Sequence, residues 1–161
     1  MKIFFKNSGF MVVEVLIVAS IITISVLAAM TVAQKSIYVS RQAFHTTQAA
    51  FLMEEGAEAV RIVRDNAWSN ISSLAVGATY YPKFSAGTWN LTTTSSDGAV
   101  GIFTRAIVLA DVNRDNTTKN IVSSGGALDI RTKLVTVMVS WLEGGATVTK
   151  NLQFYIMDIF S

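Results

Sequence analysis

The hydrophobic pattern divides the chain into stretches of different character. Val15–Ala33 (VLIVASIITISVLAAMTVA) carries no charged residue, and the apolar run reaches back to Phe10 across a single acid, Glu14. At ~1.5 Å per residue, a helix over 15–33 spans roughly 28 Å, against ~30 Å for the hydrocarbon core of a bilayer. Neither Gly nor Pro occurs between Phe10 and Met53, so the helix is predicted to continue past the greasy run. From Gln34 on, Ile37, Phe44, Phe51, Leu52, Ala59, Val60 and Val63 follow one helical stripe, expected to be core for the domain that follows. The helix is predicted to end around Asn66–Trp68, which gives about 58 residues and about 87 Å from Phe10.

After Trp68 the period changes to two, in runs rich in Thr, Val and aromatics. Strands are predicted at Thr88–Thr94, Ile102–Val112, Thr132–Leu142 and Thr147–Ile156. Val135, Val137, Val139 and Trp141 fall on one face, and Glu143-Gly144-Gly145 reads as a hairpin turn into Val148, Leu152, Phe154 and Ile156. The expected fold is α+β: a long N-terminal helix packed on a small antiparallel sheet of about four strands. Gly56, inside the helix, allows close helix–strand packing.

Composition changes this picture in two ways. No cysteine is present, which excludes a disulfide framework and thiolate chemistry. The formal charge of +2 comes from Lys2 and Lys6; without them basic and acidic residues balance at 11 each. Bulk charge therefore gives no reason to expect a nucleic-acid partner.

The first residues carry the sharpest signal. Met1–Gly9 (MKIFFKNSG) is short and basic, and Phe10 opens the apolar run at once. A secretory signal would have a shorter apolar region with a small-residue cleavage site on its far side. A plain single-span anchor, with basic residues holding the N-terminus in the cytoplasm, accounts for the hydropathy. It does not account for Glu14, because a carboxylate inside a bilayer segment costs on the order of ~3 kcal/mol near the centre and is a functional candidate by default. Gly9-Phe10-Met11-Val12-Val13-Glu14-Val15-Leu16-Ile17-Val18 resembles the class III prepilin signal of type IV pilins and of the pseudopilins of type II secretion.

That resemblance implies a set of expectations. A membrane prepilin peptidase cuts after Gly9 and methylates the new N-terminal residue, Phe10. The Glu14 carboxylate then pairs with the Phe10 amine of an adjacent subunit, so two charges costly in an apolar filament core offset each other and fix the axial register. Met11 and Val12 stand where threonine and leucine are commonest in the family, and the kinking proline of many major pilins is missing. The organisation expected is a leader over 1–9, a membrane-spanning and filament-core half-helix over 10–33, an amphipathic half over 34–67 and a β domain over 68–161. The segment Gln48–Ile71 also looks like a region of bacterial pilin-like proteins.

Other candidate chemistry is sparse. Glu54, Glu55, Glu58, Arg61, Arg64 and Asp65 read as a solvated helix face, with Glu58–Arg61 and Arg61–Asp65 at helix-neighbour spacings. His45 is the only histidine, so a multi-histidine metal site and a Ser-His-Asp arrangement with a spare base are excluded; it is expected to be a partly exposed structural residue. Phosphate loops and nucleophile elbows do not occur. Asp111, Asn113 and Asp115 begin like a calcium loop, but Asn116 stands where glycine is needed and Val122 where glutamate is; they are kept as a weak calcium candidate because some pseudopilins bind that ion. Trp89, Tyr80 and Tyr81 are core residues or part of a binding surface.

No enzymatic activity, cofactor or small-molecule substrate is expected. The function implied is that of a structural subunit (pilin, minor pilin or pseudopilin) of a type IV pilus or type II secretion-like filament. Its partners would be the prepilin peptidase, other subunits and an inner-membrane assembly platform. It would sit in the bacterial inner membrane with a cytoplasmic N-terminus before joining a filament at the cell surface. The alternative is a single-pass anchored extracellular binding module that does not polymerise.

Overall fold

The computed structural model describes residues 8–160, with side chains from residue 11 on. Most of the expected leader therefore lies outside the described residues. The fold is α+β: one long apolar helix near the N-terminus, then an antiparallel sheet onto which its C-terminal part packs. Helix α1 runs from Ser8 to Asn66 as one 59-residue element, and a short helix α2, Ser69–Ser72, follows. The chain forms two compact units that divide at Phe44/His45, so the amphipathic half contributes residues from both.

In the first unit every described side chain from Met11 to Phe44 is exposed. The hydroxyls in this apolar stretch are satisfied locally. Ser20, Thr23 and Ser25 donate to the carbonyls of Leu16, Ala19 and Ile21 at 2.7–2.8 Å, and Thr31 to that of Ala28 at 2.7 Å. In hydrocarbon such back-bonding removes the desolvation cost of a hydroxyl. This helix is long and apolar enough to cross a membrane.

The second unit holds seven strands where about four were expected: β1 Thr79–Ser85, β2 Thr88–Thr92, β3 Ala99–Val100, β4 Phe103–Arg114, β5 Ile121–Val122, β6 Ala127–Glu143 and β7 Ala146–Met157. Their order is β2-β1-β4-β6-β7, with β3 and β5 each pairing β4. The predicted strands correspond to β2, β4, β6 and β7, with β6 starting five residues earlier than expected. Strands β1, β3 and β5 escaped prediction; the longest of them, β1, contains Pro82, which lacks an N–H and argues against a strand. It pairs with β4 only at Thr79 and Tyr80 and otherwise runs beside β2. The β1–β2 turn is Ala86-Gly87, both at positive φ (53° and 80°), the twist a two-residue hairpin needs. Gly144-Gly145, at φ 58° and 84°, closes the β6–β7 hairpin where the sequence placed it.

Alternation selects the buried face. Phe103, Arg105, Ile107 and Leu109 point inward from β4, and a bulge between Asp111 and Asn113 resets the pattern at Val112. Val135, Val137, Val139 and Trp141 answer from β6. One core cluster joins Ala57, Val60 and Val63 of α1 to Ile71, Tyr80, Ile107, Leu109, Val135, Val137 and Ile156. A second joins Ala49 to Phe103, Val139 and Trp141, with the Phe103 and Trp141 rings edge-to-face at 5.5 Å.

The helix stripe expected to be core is buried only in its C-terminal part. Ala59, Val60 and Val63 are buried, but Ile37, Phe44 and Phe51 are 57%, 60% and 66% exposed. The face on the sheet sets the small residues Ala49, Gly56 and Ala57 among Met53, Val60 and Val63. A Cβ on Gly56 would lie 2.8 Å from Val137 Cγ1 and 3.1 Å from Arg105 Cδ. Close approach of backbone to sheet is what Gly56 supplies there.

Candidate functional site

Glu14 lies exposed on the apolar helix of the first unit, and among the described residues it has no ion pair. Gly9 and Phe10 belong to the same helix, five and four positions before it; the Phe10 side chain lies outside the described residues. An uncompensated carboxylate flanked by Val13, Val15 and Leu16 is poorly placed in hydrocarbon unless a cation joins it.

The three polar residues of the calcium candidate serve other contacts. Asp111 accepts from Lys133 Nζ at 2.5 Å, compensating a largely buried cation. Asn113 sits in β4 opposite Val122 and Leu128. One carboxylate oxygen of Asp115 accepts from the Thr117 and Thr118 amides and the Thr118 hydroxyl at 2.7–3.1 Å. Those amides hold the Asp115 carboxyl below the usual range. Among the described residues no group of three or more His, Asp or Glu gathers as a metal site.

His45 opens the second unit. Its Nδ1 lies 3.1 Å from Glu143 Oε2, and its ring stands edge-on to Phe103 at 6.1 Å. The same Glu143 oxygen accepts from Trp141 Nε1 at 2.7 Å. The indole donor first, then His45, hold the Glu143 carboxyl below its ordinary range. Glu143 had read only as a turn residue; its partner lies 98 positions away in the chain, beyond any local signal.

The acidic helix face is only partly solvated. Glu58 pairs with Arg61 at 3.1 Å, as its spacing predicted. Asp65 instead pairs with Arg64, and Arg61 lies over the Phe154 ring at 5.3 Å. Arg105, 3% exposed, places Nη1 2.8 Å from Glu55 Oε2 and its guanidinium 5.2 Å from the Trp89 ring centre. Its Nε and Nη1 make no hydrogen bond among the described residues. Trp89 is half-buried against the first core cluster and Tyr80 is buried within it; Tyr81 is half-buried. Beside α1, Gln48, Phe51, Leu52, Val100 and Ile102 line an apolar groove of about 520 Å³.

A pH dependence follows from these contacts. Asp129, which accepts from Arg114 Nε at 2.6 Å and Thr132 Oγ1 at 2.7 Å, also has its carboxyl held below the usual range, by the arginine first. With Glu143 and Asp129 both depressed, the unfolded chain binds protons first as pH falls. Their contribution is complete above the ordinary carboxylate range near ~4 and disappears as pH falls through the lower folded values. Acid titration of the detergent-solubilised chain, followed by tryptophan fluorescence, is expected to show unfolding below pH ~4. Asp129→Asn should flatten that acid limb; an unchanged limb would remove Asp129 from the account.

No protein-family model, curated protein or solved structure matches this chain.

Proposed function

We propose that the chain is a pilin-like structural subunit, made as a precursor, cut after Gly9 and assembled through its N-terminal helix into a filament. The observation that carries this reading is the position of Glu14, unpaired among the described residues on an otherwise charge-free helical stretch, five residues after Gly9. A plain anchor has no use for a carboxylate there. A cleaved chain does, because cutting after Gly9 creates an ammonium on Phe10 that the Glu14 of a neighbour neutralises. The helix capable of crossing a membrane supports an initial anchored state. Its back-bonded hydroxyls leave Glu14 as the polar group in that stretch that calls for an external partner. In this reading the precursor stands in the inner membrane of a bacterium with its N-terminus cytoplasmic and its sheet unit outside. The chain itself catalyses nothing; peptidase and assembly platform act on it.

The test is processing. Gly9→Val is expected to leave the leader attached, so that the membrane-extracted chain yields an N-terminal peptide containing Met1. Normal processing of that variant would remove Gly9 as the cleavage determinant.

A further inference from the structure

The sheet ends on one side in β7, which pairs with β6 from Ala146 to Met157 and, among the described residues, with no strand beyond. In an antiparallel ladder, residues that bond to the partner strand alternate with residues whose N–H and C=O point away from it. The Asp158 amide donates to the Arg131 carbonyl at 2.9 Å, which puts the bonded positions of β7 at even numbers. Thr147, Thr149, Asn151, Gln153, Tyr155 and Met157 therefore turn their backbone groups outward, and among the described residues no hydrogen bond meets those groups. The devices that usually close such an edge are sparse. Strand β7 holds no proline, its register with β6 has no bulge, and its one charge is Lys150. From Asn151 to Met157 the strand is uncharged, and it is exposed except at Phe154 and Ile156.

We propose that β7 docks an extended segment of another polypeptide, added as a further strand along Asn151–Met157 with a basic side chain set against Glu54. Outward N–H and C=O groups on alternate residues, about 6.8 Å apart, are met in full by a second backbone, which names the class of partner. Beside the edge lies a cleft of about 630 Å³ whose lining includes Phe51, Glu54, Glu58, Arg61 and Leu152, all within the second unit. Glu58 is paired with Arg61 and Glu55 with Arg105; among the described residues Glu54 has no ion pair. Leu152, Phe154 and Ile156 point to the helix side of the sheet, so every second side chain of the added strand falls over this cleft. Its other side chains lie beside Asn151, Gln153 and Tyr155, whose β6 partners Met138, Thr136 and Leu134 are uncharged too. The fitting segment thus alternates, apolar and basic on one face and neutral on the other. A second copy of the chain fits less well. Its other edge strand, β2, is five residues long and carries no charge. Its β7 paired antiparallel would reverse every direction in the sheet plane, so that the two α1 helices oppose each other, which copies anchored in one membrane cannot do. Paired parallel, it would turn Lys150 to the face away from Glu54.

The probe is a capped seven-residue peptide, Thr-Val-Thr-Lys-Thr-Val-Thr, titrated into the isotope-labelled full-length chain in detergent and followed by backbone amide NMR. The amides of Asn151, Gln153 and Tyr155 are expected to shift to saturation, while those of Leu152 and Phe154, held by β6, move little. Exchanging the peptide's lysine for glutamate should weaken binding about tenfold, because an opposite-charge contact becomes a like-charge one. Glu54→Gln should abolish that difference. Asn151→Pro removes an N–H that bonds nothing within the chain, so the remaining amide spectrum should stay as in the parent while binding is lost. Equal binding of the two peptides, binding that survives Asn151→Pro, or no shift at the three amides at millimolar peptide would overturn the proposal. Concentration-dependent shifts of the same amides without peptide would overturn it in favour of a second copy. None of these outcomes depends on whether the bond after Gly9 is cut, so the subunit reading stands or falls separately.

Discussion

Glu14→Val is expected to reduce incorporation into filaments by roughly two orders of magnitude while leaving cleavage after Gly9 intact. The variant removes one partner of a charge pair proposed to lie in an apolar environment, and the surviving Phe10 ammonium of the neighbouring copy is left there alone. Breaking such a pair costs about 3–5 kcal/mol, more than removing both charges would, and each 1.4 kcal/mol is a factor of ten. The helix itself gains an apolar residue, so anchoring in the membrane should if anything improve. The measurement is the ratio of assembled to membrane-bound chain in sheared and membrane fractions. Glu14→Gln should behave like the valine variant, because it is the charge that matters. Undiminished incorporation of either would remove the pairing.

The second large effect concerns the sheet unit. Gly56→Leu is expected to destabilise it by about 3 kcal/mol, because overpacked cores lose on the order of 1–3 kcal/mol even for modest insertions. The first added atom, Cβ, would already stand 2.8 Å from Val137 Cγ1 and 3.1 Å from Arg105 Cδ. Val137 belongs to the core and is fully buried, and a branched side chain there has little freedom to yield. Gly56→Ala meets the same contact with one carbon but gains up to ~1 kcal/mol of helix propensity; its net loss should be smaller. Thermal denaturation of the detergent-solubilised chain should show a drop of roughly 10 °C or more for the leucine variant. A leucine variant as stable as the parent would show that α1 can lift off the sheet at little cost.

Elements are legible in the sequence where one physical rule governs a long stretch. The unbroken α1 was legible because Phe10–Met53 lacks both Gly and Pro, and its end at Asn66 fell where the period changed. The β6–β7 hairpin was legible because strict alternation in Val135–Trp141 met a Gly-Gly turn. Strand β1 was not legible. Pro82 pointed away from a strand, and Ala86, carrying a Cβ, adopts a positive φ that sequence would assign to Asn or Gly. The helix face on the sheet is not legible from hydrophobic size, which does not mark burial here. Tertiary geometry instead brings the helix close at Ala49, Gly56 and Ala57, and leaves Phe51 exposed. The Glu143 carboxylate, bound by Trp141 and His45, depends on a contact between the helix and the last hairpin that no local window contains.

Glu14 and Gly9 stand differently. Their relation is what the resemblance to a prepilin signal implies; the fold adds that they share one helix and that Glu14 is unpaired among the described residues. The proposed role of Glu14 depends on cleavage after Gly9, so the most direct measurement is the mass of the N-terminal peptide of the chain extracted from its own membranes. A processed subunit begins at Phe10, with its amine methylated; a chain that retains Met1 is no such subunit.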